Sequence, residues 1–175
     1  RSLISSIPED LINQAKEPFS ARCLLFAMLL DANNQTVLKK QFQMINLQGE
    51  KGTGSETEKI KPHLSKLNAE QKFVLVEETR PAIAELSSLQ FSNFQTLIVQ
   101  LIGADQSIDL FEWCLHKVIE FDFGKNHSPR DQLHGRVSIR SRLPECSVIL
   151  GALAHHGQDG ADPKPAFEEG FRALE

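Results

Sequence analysis

Apolar residues recur along most of the chain at intervals of three and four, the spacing of one face of an α-helix, and the pattern predicts helices almost throughout. Ser6-Ile7-Pro8-Glu9 has the spacing of a capping box, with proline early, where its missing N–H costs little. Leu11, Ile12 and Ala15 would then line a short helix to about Lys16, broken by Pro18. A second helix, over about 20–31, has almost no polar face, because Cys23, Leu24, Leu25, Phe26, Ala27, Met28, Leu29 and Leu30 are all apolar. A helix apolar all round belongs in the centre of a bundle. Asn33-Asn34 forms a turn and can cap a third helix over about 35–47, with Val37, Leu38, Gln41, Phe42 and Ile45 along one side.

The glycine-rich stretch 49–54 breaks the pattern. Ser55-Glu56-Thr57-Glu58 repeats the capping-box spacing and opens a helix to about Leu67, with Ile60, Leu64 and Leu67 inward. Asn68 can cap the next helix. Its Phe73-Val74-Leu75-Val76 run also suits a strand, but the flanking polar residues favour helix, and Pro81 is expected to kink or divide it before Ile83 and Leu86. Phe94, Leu97, Ile98, Leu101 and Ile102, then Phe111, Cys114, Leu115, Val118 and Ile119, mark two amphipathic helices joined by a short loop, which should pack antiparallel. An irregular segment over 123–143 is expected to be loop, although Val137-Ser138-Ile139 has strand character. Pro144 suits a first helical turn, Val148, Ile149, Leu150, Leu153 and Ala154 continue that helix, and Phe167, Phe171 and Leu174 space a last one. The expected fold is all-α, an irregular bundle of seven to nine helices. Residues 1–48 are expected to pack on a helical domain over 55–175 as one compact unit.

Composition narrows the class. The 175 residues are 41% hydrophobic and 24% charged, ordinary values for a globular domain. With 19 basic and 23 acidic residues the net charge is -4, which argues against a general nucleic-acid binder. Three cysteines argue against a disulfide scaffold, and all three sit in apolar helical stretches, where packing is a simpler role than nucleophilic chemistry. No apolar run approaches the ~20 residues that cross a bilayer. The chain begins at Arg1 without a signal segment, and is expected to be a soluble piece of a longer polypeptide.

Candidate chemistry is sparse. No His-Glu-x-x-His zinc motif is present. His116 and Glu120 share a helix face but offer two ligands at most, and the adjacent His155 and His156 point about 100° apart. Gly49-Glu50-Lys51-Gly52-Thr53 lacks the spacing of a phosphate-binding loop. The acidic turn holding Asp105, Asp109 and Glu112 is the one candidate cation site. Carboxylates at a helix start also offset the helix dipole, and the turn lacks the ligand spacing of a calcium-binding EF-hand. Lys125, Arg130, Arg136, Arg140 and Arg142, with His127 and His134, make a locally basic segment against the single acid Asp131. Trp113, the only tryptophan, adjoins the acidic turn and joins Arg130, Arg136, Arg140 and Arg142 as an interaction candidate.

These residues carry a resemblance. Ser-Leu-Ile-Ser-Ser-Ile-Pro at the start, Glu17 to Leu30, Ile102-Gly103-Ala104-Asp105 to Phe111-Glu112, and Leu153-Ala154-His155-His156-Gly157 are similar to the region that follows the peptidase domain in bacterial membrane-anchored, HtpX-like zinc metallopeptidases. The turn Ala104-Asp105-x-x-Ile108-Asp109-x-x-Glu112 also resembles the TerB-like helical domain of tellurite resistance, although Gln106 stands where that family usually has glycine. The resemblance implies a soluble accessory or interaction domain on the cytoplasmic side of the bacterial inner membrane. Its partners would be the upstream peptidase domain, membrane-proximal surfaces and a protein substrate or partner. It implies zinc in the parent peptidase, and no catalytic residue or cofactor for this region; the charge balance gives the expectation of no nucleic-acid partner. The alternative is a free-standing TerB-like regulator that binds a cation through the acidic turn or an anionic partner through the basic segment.

Overall fold

A computed structural model of the chain describes residues 3–105, 107, 109–126, 138–157 and 162–174. The architecture is all-α, an irregular helical bundle, with nine α-helices and no strand among the described residues. The chain divides into two compact units, residues 1–130 and 131–175.

The first unit is built around one helix. α1 (Glu9–Ala15) leads into α2 (Pro18–Met28), and Cys23, Leu24 and Leu25 in α2 have no solvent exposure. With apolar side chains on every side, α2 can leave water only by being surrounded. It packs against α1, α4 (Thr53–Leu64), α5 (Ala69–Ala84) and α6 (Ser88–Ile102). α3 (Gln35–Gln48) lies against α4 and α6. α7 (Leu110–Lys117) contacts α6 and passes directly into a π-helical turn, Val118–Asp122. Each fully buried leucine or isoleucine contributes roughly 1.5–3 kcal/mol through removal of apolar surface from water. Leu24, Leu25, Ile45, Ile60, Leu75, Ile83, Leu97, Ile98, Leu101, Leu115 and Ile119 are all in that state. Phe26 of α2 meets Phe94 of α6 with ring centroids 5.6 Å apart, tying the two helices, and Phe91 packs on Phe94 within α6 at 6.1 Å.

Helix starts follow local chemistry. Asn34 accepts hydrogen bonds from the N–H groups of Thr36 (3.0 Å) and Val37 (3.3 Å) at the head of α3. Asn68 with Gln71, and Ser87 with Gln90, form reciprocal capping boxes at α5 and α6. Ser6 does not cap α1. Its hydroxyl donates to the Leu3 carbonyl (2.6 Å) in a 3-10 turn, and α1 starts after Pro8. Pro18 opens α2 at its first position, where no N–H is needed, so that helix begins before Ser20. It closes at Met28, short of Asp31, whose carboxylate accepts the N–H groups of Asn33 (2.7 Å) and Asn34 (3.0 Å). α4 starts at Thr53 rather than Ser55, because Gly52 takes a left-handed φ of +92° and reverses the chain there, and it ends at Leu64 rather than Leu67. α5 runs unbroken through Pro81. The internal proline costs about 3 kcal/mol, and the enclosure of Thr79, Ala82 and Ile83 beside it offsets that loss.

The second unit holds a 3-10 turn (Ile139–Arg142), α8 (Leu143–His156) and α9 (Lys164–Arg172). Pro144 lies in the first turn of α8, as its sequence suggests. α8 and α9 pack together, and Phe167 stacks on Phe171 with centroids 5.8 Å apart. Val137 lies outside the described residues, and Ser138 and Ile139 belong to no strand.

Two polar details fix the first unit. Arg22 forms a two-pronged pair with Glu50 (2.8 and 3.0 Å), joining α2 to the turn between α3 and α4. The arginine holds the Glu50 carboxyl below its ordinary pKa. Gly54 faces α3 so closely that a Cβ there would collide with the side-chain amide of Asn46. Gly54→Ala is therefore expected to lower unfolding free energy in urea by about 1–3 kcal/mol. The same change at Gly151, where a Cβ meets nothing within 4 Å, is expected to leave stability unchanged or raise it by up to ~1 kcal/mol. Equal effects at the two glycines would contradict this packing.

Candidate functional site

One open cleft of about 460 Å³ gathers polar residues from four parts of the first unit. Its walls come from the end of α2 and the turn after it (Asp31, Asn33), from Gln41 in α3, from Lys72 in α5, and from the acidic turn leading into α7 (Asp105, Asp109, Glu112). Gln41 is the anchor. Only 2% exposed, it donates through Nε2 to the carbonyls of Leu29 (2.8 Å) and Leu101 (3.1 Å) and accepts through Oε1 from the Asp31 N–H (2.9 Å). One amide thereby satisfies the fraying end of α2, the end of α6 and the turn that carries Asp31. On the far side the Lys72 ammonium lies 5.8 Å from the centre of the Phe111 ring, which also meets Phe73 at 5.1 Å. Lys40 donates to the Ala104 carbonyl (3.0 Å) and steadies the entry to the acidic turn.

The structure brings the three sequence candidates, Asp105, Asp109 and Glu112, to this one rim and gives each a backbone partner. Asp109 caps α7 by accepting the Glu112 N–H (2.8 Å), and the Glu112 carboxylate accepts the Asp109 N–H in return (3.0 Å). Asp105 accepts the N–H (3.0 Å) and hydroxyl (3.2 Å) of Ser107. Burial pushes the Glu112 pKa up, and the charges of Asp109, Asp105 and Asp31 add to that against the lowering effect of the Asp109 N–H. Among the described residues no three His, Cys, Asp or Glu side chains are arranged to hold a metal ion.

Other candidates lie apart. Trp113, on α7 next to the rim, keeps 40% of its surface exposed. Arg140 and Arg142 are exposed on the turn before α8, and Arg142 pairs with Glu145 at 2.8 Å. Arg130, Arg136, His127, Asp131 and His134 lie outside the described residues, and of Lys125 only the backbone is described. Glu120 pairs with Lys117 at 2.8 Å. His155 and His156 are exposed at the end of α8. Cys23 is fully buried and its thiol is pushed up to about 11, chiefly by that burial. Burial raises Cys114 as well, so neither is poised as a thiolate.

Sequence reasoning missed Asp31 and Lys72, which reach the cleft only through tertiary packing. It also missed the capping role of Asp109 and Glu112, for which the Asp-x-x-Glu spacing was a readable signal. No protein-family model, curated protein or solved structure matches the chain.

The rim has a signed pH dependence. Because the folded state raises the Glu112 pKa, it binds that proton more tightly than the unfolded chain. Stability from this group is therefore present at low pH and falls as pH rises through the folded pKa. Glu112→Gln removes the charge and keeps an oxygen for the Asp109 N–H. It should melt higher than the parent chain at about pH 7.5 and lose that advantage at about pH 4, below the usual glutamate value. Asp109→Ala should instead cost about 1 kcal/mol at both, through the lost cap. Thermal melts that rank Glu112→Gln below the parent chain at the higher pH would refute the assignment.

Proposed function

We propose that the chain is a non-catalytic accessory domain of a membrane-bound HtpX-like zinc metallopeptidase, working on the cytoplasmic side of the bacterial inner membrane. It positions the peptidase domain, or a protein substrate, by direct contact. The observation that carries this reading is the rim itself, where Asp109 and Glu112 bond to each other's backbone N–H and are followed on α7 by a large, half-open aromatic residue, Trp113. Aromatic anchors flanked by fixed polar groups are the usual chemistry of protein recognition. The sequence resemblance supplies the parent, and the TerB-like pattern of the turn fits a helical recognition module. Zinc chemistry in this reading belongs to the parent's peptidase domain.

A second reading has one observation in its favour, the convergence of Asp31, Asp105, Asp109 and Glu112 on one cleft. Their negative charge would draw a cation to the cleft, as a free-standing TerB-like regulator would require, although no three of them are arranged to hold a metal ion.

Trp113 reports on both. Adding the peptidase domain of an HtpX-like enzyme is expected to shift its fluorescence saturably, and Trp113→Ala should weaken the complex by ~10-fold or more, the usual effect of removing an interfacial tryptophan. Calcium, magnesium and zinc should leave the emission unchanged. A shift at micromolar cation, lost in Asp105→Asn, together with no response to the peptidase domain, would overturn the accessory reading in favour of the regulator.

A further inference from the structure

A second hollow, of about 340 Å³, opens beside the acidic cleft, and the two share Met28, Leu30, Ala32 and Lys72 as a common wall. Its lining is largely apolar, with Ala27 and Met28 from the end of α2 and Pro62 and Leu64 from the end of α4. Lys61 and Lys72 supply its charge. Each hollow exceeds the ~300 Å³ at which ligand pockets begin. The groove they make together is ordered. One half has two lysines and apolar surface, and the other has four carboxylates, those of Asp31, Asp105, Asp109 and Glu112.

These opposite charges do not neutralise each other. Among the described residues neither lysine forms an ion pair with a carboxylate, and none of the four acids forms one with a cation. Lys72 lines the acidic cleft too, yet its ammonium lies over the Phe111 ring. Lys61, in the last turn of α4, offsets that helix's dipole. Lys72 is the fourth residue of α5, near the positive end, where the dipole opposes a cation. The acids have capacity to spare, since one oxygen each of Asp31, Asp109 and Glu112 accepts no hydrogen bond among the described residues. An anion beside Lys72 and a cation among the acids would both form charge-assisted hydrogen bonds.

On a polypeptide, an anion and a large apolar side chain fall on a single residue only at the C-terminus, and capture of that carboxylate is an established mode of peptide recognition. We infer that the groove holds the C-terminal end of a protein partner. The last side chain, an apolar one, enters the hollow between α2 and α4, and its α-carboxylate meets Lys72 and Lys61. A basic side chain shortly upstream lies among the four carboxylates. A fatty acid would suit the first half of the groove and leave the acids without a cation. The inference rests on the accessory-domain reading, and names the segment of a protein substrate that such a domain would hold.

Fluorescence anisotropy of fluorescein-labelled pentapeptides, titrated with the whole chain, tests it. The probes end in leucine with a free carboxylate and carry one arginine at one, two or three positions before it, the rest being glycine and serine. At least one should bind with Kd on the order of 10–100 µM. Amidating its C-terminus, or replacing its arginine by glutamine, should each weaken it at least ~10-fold. Lys72→Met should weaken the free acid ~10-fold and the amide less than ~2-fold. Asp31→Asn with Asp105→Asn, which keeps an oxygen for each turn N–H, should weaken the arginine probe ~10-fold and the glutamine probe less than ~2-fold. Circular dichroism checks that helix content is retained. No binding by any probe at about 500 µM chain overturns the inference, as does an amide that binds as well as the acid or an arginine replaced without loss. The two readings fail separately. Probes that do not bind while the peptidase domain still shifts Trp113 overturn this inference alone, and probes that bind without such a shift uphold the groove and remove the proposed parent.

Discussion

A helix with no polar face cannot rest on a surface. From Cys23 onward α2 is apolar on every side, and the first unit is arranged so that α1, α4, α5 and α6 enclose it. Most other features of the unit follow from that enclosure. Gly52 turns the chain sharply so that α4 can come back against α2, and Gly54 has no side chain because α3 and α4 meet there too closely to admit one. Arg22, the one charged residue in α2, has a side chain only 11% exposed, and its charge is compensated by the two-pronged pair with Glu50 at the edge of the same turn. α5 tolerates Pro81 because its inner face is committed to the core on both sides of it.

The end of that helix also creates the cleft. Where α2 stops, its last carbonyls need donors, and Gln41 supplies one while tying down the end of α6 and the Asp31 turn. The acidic rim is then a by-product of helix starts and turns, with Asp109 and Glu112 closing α7 and Asp105 fixing Ser107. Its carboxylates are engaged with backbone N–H groups, and burial together with the neighbouring acids raises the Glu112 pKa.

Much of this was legible in the sequence, and its failures have physical causes. The apolar run from Cys23 to Leu30 marked the central helix, and Asn34 and Asn68 marked two helix starts, because both signals are local. The Ser-x-x-Glu spacings at Ser6 and Ser55 misled, since a 3-10 turn and a left-handed glycine decide the chain's path there first. Pro81 does not divide α5, because tertiary burial outweighs a single lost hydrogen bond. The acidic turn was visible as a cluster, but Asp31 and Lys72 are more than thirty residues from it in sequence, and no periodicity links them. Gln41 could be placed on the inner side of α3, yet which carbonyls it would reach depended on where two other helices ended.

The enclosure of α2 is most directly tested by native-state hydrogen exchange of the amides from Cys23 to Ala27. If α2 is the element the unit is built around, these amides exchange only through global unfolding, with an opening free energy equal to that from urea denaturation. Exchange of α2 through a smaller local opening, while α3 or α6 stays protected, would contradict the account.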